Sequence, residues 1–173
     1  MASPTTPTTT TNRFAVPPAP VLRLSVEKYH EMARAGILAD GDAIELLEGW
    51  LVNKMTKRPA HRVATRKTRL CLERIVPGGW SVDSQEAITT GDSEPEPDIS
   101  VVRGDTSALL DRHPTPDEVG LVVEVADTSL ERGRGLKKRI YARAQIAVYW
   151  IVNLIDRQVE VFTEPTGSGE ESD

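Results

Sequence analysis

The stretch Leu121-Val122-Val123-Glu124-Val125-Ala126 is the clearest strand in the 173-residue chain. Its apolar residues run on without alternation, which is typical of a central strand buried on both faces. Glu124 is the only charged residue in this run. An ionised carboxylate inside an apolar strand costs free energy unless a counter-charge, hydrogen bonds or a bound cation compensate it. The apolar run therefore predicts a strand at the centre of a sheet, and the charge of Glu124 predicts a compensating partner or bound cation beside that strand.

A second carboxylate stands where another apolar strand begins. Asp98 directly follows Pro97, at the start of a predicted strand over residues 98–102. If that strand neighbours the first, Asp98 and Glu124 can face the same site. Two carboxylates suit Mg²⁺, a hard ion that prefers oxygen ligands and keeps several of its waters. The pair is therefore a candidate magnesium site.

A cationic partner for these carboxylates is expected on the next element, a basic helix predicted from about residue 135 to residue 144. Lys137 lies 13 residues after Glu124, and its long stem could carry an ammonium group to the site. Each residue taken alone also has an ordinary interpretation. Asp98 could cap a turn, Glu124 could pair with a core arginine, and Lys137 could be an exposed helix residue.

The rest of the chain supplies the other elements of a mixed sheet flanked by helices, an α/β (α+β) fold. Ser25 is a plausible N-cap of a short helix that Gly36 ends. Residues 44–53 read as a β-hairpin that turns at Glu48-Gly49. A long helix begins at Pro59 and ends before Pro77, and its predicted core stripe consists of Val63, Leu70, Cys71 and Ile75. Further strands are predicted near residues 80–83, 87–89, 148–153 and 158–163.

The length and composition of the chain fit one globular domain, which we place at residues 21–163. Residues 1–20 are rich in Thr and Pro and residues 164–173 are acidic, so both tails are expected to be disordered. No apolar run is long enough for a membrane helix or a secretory signal. Cys71 is the only cysteine, which excludes an internal disulfide, and we expect it to pack as a small hydrophobe. These features predict a soluble, cytoplasmic protein without a membrane partner.

The distribution of charge matters more than the net charge of −5. Residues 164–173 hold four acidic residues and no basic one, which leaves a net charge of −1 for residues 1–163. Eight Lys and Arg residues lie between Lys54 and Arg74, and a second basic cluster runs from Arg132 to Arg143. Such clusters are either solvated helix faces or surfaces that neutralise phosphates.

Six segments together resemble the Uma2 family of endonucleases, a branch of the PD-(D/E)xK nuclease superfamily. They are IELLEGWLV, RPAHRV, EPDISVV, LVVEV, LKKRIYARAQIAVYWIVN and QVEVF, and they cover about residues 22–163. The resemblance implies a restriction-endonuclease-like fold and a pocket that binds a divalent cation. The site residues it implies are Asp98, Glu124, Lys137, Glu45 and His61, with Asp98, Glu124 and Val125 as the metal set. Without the resemblance, His61 would read as a surface histidine or a helix-entry cap.

The sequence departs from the resembled pattern in three places. Most of the superfamily carries the lysine two residues after the glutamate, where Ala126 stands here, and the resembled branch carries it on the helix instead. Gly133 stands where an Asp is usual, and Asp127 where a Ser is usual. Gly133 is expected to loosen the loop that positions the helix, and Asp127 to add a carboxylate near the metal. Lys138 is the second candidate for the lysine position.

Two functions follow from this pattern. One is an endonuclease that hydrolyses DNA phosphodiester bonds with Mg²⁺, or Mn²⁺, and that acts as a homodimer when it cuts both strands. The other is a catalytically weakened nuclease fold that acts as a nucleic-acid-binding or interaction module, which Gly133 and the low net charge favour. A glycosidase could also use paired carboxylates, but aromatic residues for sugar stacking make up only 5% of the chain.

Overall fold

The computed structural model of the protein describes residues 20–39 and 41–167. The helices are α1 (Val26–Arg34), α2 (Pro59–Ile75), α3 (Leu130–Arg132) and α4 (Lys138–Arg143). The strands are β1 (Ile44–Leu47), β2 (Trp50–Asn53), β3 (Trp80–Asp83), β4 (Ile99–Arg103), β5 (Val119–Ala126), β6 (Val148–Asn153) and β7 (Gln158–Thr163). Short 3₁₀ turns cover Thr106–Leu109 and Pro116–Glu118. The predicted tails, residues 1–20 and 164–173, lie mostly outside the described residues.

A five-stranded mixed sheet in the order β3-β4-β5-β6-β7 forms the centre of the fold. Only β5 and β6 are parallel, because the chain between them crosses over through α3 and α4. Tyr141, Tyr149 and Ile151 pack in the core on one face of the sheet. On the other face, Leu72 of α2 packs against Ile99 and Val123. The central position predicted for the strand that carries Glu124 is confirmed.

The predicted hairpin over residues 44–53 is confirmed as β1 and β2, which pair in register with Leu47 opposite Trp50. Glu48 (φ 50°) and Gly49 (φ 77°) both adopt positive φ, as a two-residue hairpin turn requires. Gly49 is needed for a second reason, since a Cβ there would lie 2.6 Å from the Cβ of Arg23. An isolated bridge between Leu46 and Glu94 ties the hairpin to the loop before β4.

The predicted core stripe of α2 is wrong. Val63 (49% exposed), Leu70 (42%) and Ile75 (73%) face solvent, and Cys71 is exposed and does not pack as a small hydrophobe. The buried residues of α2 are instead His61, Thr65 and Leu72, which share one helix face. Apolar spacing misplaced the stripe because two of the three buried residues, His61 and Thr65, are polar.

The strand predicted at residues 87–89 is also wrong, since this segment is a buried loop. Ile88 is fully buried, and its amide donates to the carbonyl of Pro95 at 3.0 Å, while Thr89 N donates to the carbonyl of Pro114 at 3.0 Å. These bonds go to two different segments rather than to one neighbouring strand. The apolar residues indicated burial here, not a strand.

The basic helix begins earlier than predicted. A π-helical turn, Gly133–Lys137, joins α3 to α4 without a break, so helical structure runs from Leu130 to Arg143. Gly133 thus lies inside a helix rather than in a loop, with φ −62°. Its carbonyl accepts a hydrogen bond from the Tyr149 hydroxyl at 3.1 Å, and a Cβ there would lie 3.3 Å from Ile151. The expected loosening at Gly133 is therefore not observed, because the sheet packs against it.

The N-cap role predicted for Ser25 is confirmed, since its hydroxyl accepts from the amide of Lys28 at 3.3 Å. Gly36, with φ +68°, follows the last turn of α1. Among the residues that the structure describes, no helix is both long enough and apolar enough to cross a membrane.

Candidate active site

Asp98, which directly precedes β4, and Glu124 of the neighbouring β5 line the same small cavity of about 70 Å³. Ile99 pairs with Val123 in the antiparallel β4–β5 ladder, which puts Asp98 opposite Glu124. Side-chain exposure is 6% for Asp98 and 15% for Glu124. Two acidic groups thus meet in a largely desolvated place, as the sequence predicted.

Three donors hold the Asp98 carboxylate. Its Oδ2 accepts from the amide of Val125 at 2.8 Å and from Nε2 of His61 at 3.0 Å, and its Oδ1 lies 3.5 Å from the Lys57 ammonium. Burial opposes ionisation, but the His61 hydrogen bond and charge, the Val125 amide and Lys57 outweigh it and lower the pKa of Asp98. Asp98 is therefore a fixed, ionised carboxylate.

His61 reaches this carboxylate from the first turn of α2. The ring is buried, and Nδ1 lies 3.4 Å from the hydroxyl of Thr65, which in turn donates to the carbonyl of His61 at 3.0 Å. The hydrogen bond to Asp98 raises the pKa of His61 although burial acts against the imidazolium. His61 is thus neither a surface residue nor a helix cap, and its ring orients Asp98.

Glu124 has a different environment. Its Oε1 accepts from the Tyr141 hydroxyl at 2.8 Å and lies 3.2 Å from Nζ of Lys137. Burial raises the pKa of Glu124 to about 7; Asp98 and Glu45 add to the increase, while Lys137 and Tyr141 oppose it. The two carboxylates therefore differ in proton affinity, with Glu124 titrating near neutral pH.

Lys137 joins Glu124 to Glu45 of the hairpin. Its side chain is 5% exposed, and Nζ lies 2.6 Å from Oε2 of Glu45. Burial lowers the pKa of a lysine, but here Glu124 and Glu45 together raise it, so Lys137 stays charged. Glu45 is held in turn by the amide of Glu96 at 3.3 Å and faces Arg132 at 3.7 Å. The hairpin thus completes a buried cluster that alternates in charge.

The neighbouring Lys138 points elsewhere. Its ammonium lies over the Phe162 ring, 4.6 Å from the centroid, and it does not line the cavity. Asp127 does line the cavity, but its Oδ1 accepts from the amide of Thr128 and its Oδ2 lies 3.9 Å from Arg58. The structure therefore brings together Asp98, Glu124, Lys137, Glu45 and His61, and it leaves Lys138 outside.

Possible metal ligands in the cavity are oxygen atoms. Within residues 20–39 and 41–167, no three His, Cys, Asp or Glu side chains are arranged to hold a metal ion as a set. Val125 has no ligand atom in its side chain and its amide is bonded to Asp98, so only its carbonyl oxygen could bind a metal. Besides Asp98 and Glu124, the carboxylates of Glu45, Glu96 and Asp127 line the cavity, and these three are engaged with Lys137, Lys54 and the Thr128 amide.

Two contacts of the cluster were not predicted. Tyr141 lies four residues after Lys137, a spacing that places both side chains on one helix face and could have identified it. Lys57 precedes α2 and approaches Asp98, and only its place in a basic run hinted at a role.

The second basic segment, residues 132–143, is largely paired with carboxylates. Arg139 forms a two-bond pair with Glu48 at 2.8 and 2.9 Å. The other pairs are Arg143 with Glu48 (3.0 Å) and Asp92 (2.9 Å), and Arg134 with Glu160 (2.7 Å). These cations hold the helix to the hairpin, the nearby loop and the sheet.

Comparison with known proteins identifies the family of the chain and a similar fold. The family model named Uma2, described as "Putative restriction endonuclease", matches residues 26–173, and the chain therefore belongs to this family. The structure is similar to the crystal structure of a "putative nuclease belonging to DUF820" from Anabaena variabilis ATCC 29413. The TM-score is 0.58 at 14% sequence identity, over 82% of this chain and 86% of that chain. At this identity the likeness shows the fold, and the predicted fold class is confirmed. None of the curated proteins matches the chain.

Proposed function

We propose that this member of the Uma2 family is a Mg²⁺-dependent endonuclease that hydrolyses DNA phosphodiester bonds at Asp98, Glu124 and Lys137. One observation carries the proposal: the carboxylates of Asp98 and Glu124 line one small cavity, and a buried lysine lies 3.2 Å from Glu124. Two carboxylates can bind a metal ion, and a fixed cation beside them can stabilise the negative charge that develops on a phosphate.

The donors in the cavity fit magnesium. Mg²⁺ is commonly held by one or two carboxylates and completes its shell with water, so it does not need three protein side chains. Asp98 and Glu124 would hold it, and the Val125 carbonyl could add an oxygen. The bound ion would supply Lewis-acid polarisation of the phosphate and of the attacking water. Burial is the main cause of the raised pKa of Glu124, with Asp98 and Glu45 adding to it, and a bound cation would favour the ionised form of this carboxylate.

The chain's own residues have separable roles in this proposal. His61 and the Val125 amide fix the orientation of Asp98 and keep it ionised. Tyr141 holds Glu124, and Glu45 holds Lys137, so that both are positioning residues. The Lys137 ammonium would stabilise the charge that develops on the phosphate oxygens. A homodimer would place a second such site on the other strand of a duplex.

A binding module is the second candidate, and one observation favours it. Lys137 already pairs with Glu45 and Glu124, and Asp98 already has three donors, so the cluster is compensated in charge without an added ion. Such a module would bind nucleic acid in a salt-sensitive way without cutting it.

Cleavage of supercoiled plasmid DNA with Mg²⁺ or Mn²⁺ tests the proposal. We expect Asp98→Ala, Glu124→Gln and Lys137→Ala each to lower the rate by about 100-fold or more, the size of effect seen when a group that stabilises a transition state is removed. Glu124→Gln is the most informative variant, since it keeps the shape of the side chain.

Lys138→Ala is the matched control, because this lysine is adjacent in sequence but lies against Phe162. It should cut like the wild type. Equal rates in all four variants would refute the assignment, and binding without cleavage by the wild type would favour the module.

A further inference from the structure

A groove of about 720 Å³ runs along α2 and opens at the candidate site. Lys57 and His61 belong to both the groove and the small cavity, and both contact Asp98. The groove and the small cavity therefore adjoin at these two residues. A ligand that fills the groove reaches the residues that contact Asp98 at one end.

Cations dominate one wall of this groove. The arginines there are Arg58, Arg62, Arg66 and Arg69. Their spacing of three or four residues keeps them on one face of α2, and they span roughly 16 Å along the helix axis. Phosphates of one duplex strand advance by about 3.4 Å along the axis, so the row spans on the order of five phosphates.

Arg62 and Arg66 are the available members of the row. Both are exposed, and neither side chain has a hydrogen-bonding or ion-pair partner among residues 20–39 and 41–167. Arg69 pairs with Glu73 at 2.7 Å, and Arg58 approaches Asp127 at 3.9 Å. Like charges four residues apart destabilise a helix, so the row is not explained by the stability of α2.

Among residues 20–39 and 41–167, no Phe, Tyr or Trp lines the groove, so it offers no aromatic platform for bases. Apart from the cations, its lining residues include Thr65, Leu70, Ser84 and Gln85, together with Glu73, whose carboxylate pairs with Arg69. Proteins that bind single strands stack the bases on aromatic side chains. A backbone whose bases are already paired needs no such platform.

We infer that the groove binds the sugar-phosphate backbone of one strand of duplex DNA, with Arg62 and Arg66 on phosphates to one side of the phosphate at Asp98. The inference rests on the proposed function for the site at the end of the groove. Contacts of this kind position the duplex and do not select its sequence.

The test is the salt dependence of binding to a short fluorescein-labelled duplex, measured by anisotropy in EDTA so that no cleavage occurs. Each lost phosphate contact lowers the slope of log K against log salt concentration by about 0.9. We expect Arg62→Gln/Arg66→Gln to reduce the slope by about 1.8. The matched control is Lys67→Gln/Arg74→Gln, which removes the same charge from exposed positions of α2 that do not line the groove. Its slope should stay within about 0.3 of the wild-type value.

Equal slopes for the two double variants would overturn the inference, and so would tighter binding of a single strand than of a duplex of the same length. Failure here is distinct from failure of the proposed function. If the wild type cuts plasmid DNA and the double variants bind alike, the groove assignment is wrong and the nuclease stands. If the predicted slopes are found without cleavage, the groove stands and the nuclease is wrong.

Discussion

Two basic segments that look alike in the sequence have opposite roles in the structure. The segment 132–143 uses its arginines for ion pairs with Glu48, Asp92 and Glu160. The α2 segment leaves Arg62 and Arg66 without partners in the part of the chain that the structure describes. The difference lies in what surrounds each helix. Acidic residues of the hairpin and of β7 face residues 132–143, whereas a groove faces α2. A count of charges therefore does not identify a nucleic-acid surface.

The largest expected effect is at Lys137, the most buried cation of the paired segment. Lys137→Met keeps the volume but leaves Glu124 without its counter-charge and Glu45 with the more distant Arg132 at 3.7 Å, so we expect the free energy of unfolding to fall by about 3 kcal/mol. Urea denaturation measures this change in the free energy of unfolding. Lys138→Met is the control, because Lys138 lies over Phe162 and outside the cluster. Adding Glu45→Gln to Lys137→Met should recover part of the loss. A change no larger than that of the control would show that the cluster does not stabilise the fold.

Arg139→Gln tests the same segment nearer the surface. It removes the two-bond pair with Glu48, and because Arg139 is partly exposed we expect a loss of about 1 kcal/mol in stability. Glu48→Gln should cost more, because it also removes the pair with Arg143, and the double variant should cost little more than Glu48→Gln alone. The salt slope of duplex binding should not change. A slope reduced as much as in Arg62→Gln/Arg66→Gln would remove the distinction between the two segments.

The smallest effect is expected on α2. Arg62→Gln/Arg66→Gln relieves like-charge repulsion, so the free energy of unfolding should rise by about 0.2–0.5 kcal/mol while duplex binding weakens. Lys67→Gln/Arg74→Gln should have the opposite sign, because Arg74 lies in the last turn of α2 where a cation interacts favourably with the helix dipole. Loss of stability in the first variant would indicate that the two arginines have a structural role.

Much of the fold was predictable because local chemistry settled it. The hairpin turn followed from Glu48-Gly49, the first helix from Ser25, and the central strand from its unbroken apolar run. Predictions failed where the buried surface was not simply apolar. On α2, His61 and Thr65 are buried through polar contacts, and residues 87–89 are buried without a neighbouring strand. Apolar spacing reports burial by hydrophobic residues, so it missed the polar buried face of α2, and at residues 87–89 it indicated burial without distinguishing a loop from a strand.

The sequence by itself determined which residues are anomalous: a charge in the apolar strand at Glu124, an aspartate after Pro97, and basic residues in excess on two helices. A charge among apolar neighbours has to be compensated wherever it lies, so the anomaly is visible without coordinates. Only the tertiary structure decided the partners. Glu45 meets Lys137 across 92 residues and His61 meets Asp98 across 37, and these distances depend on how the hairpin and α2 pack on the sheet. Long-range packing also decided which helix has solvent-exposed, unpaired arginines in the described part of the chain, because the counter-charges come from segments remote in the sequence.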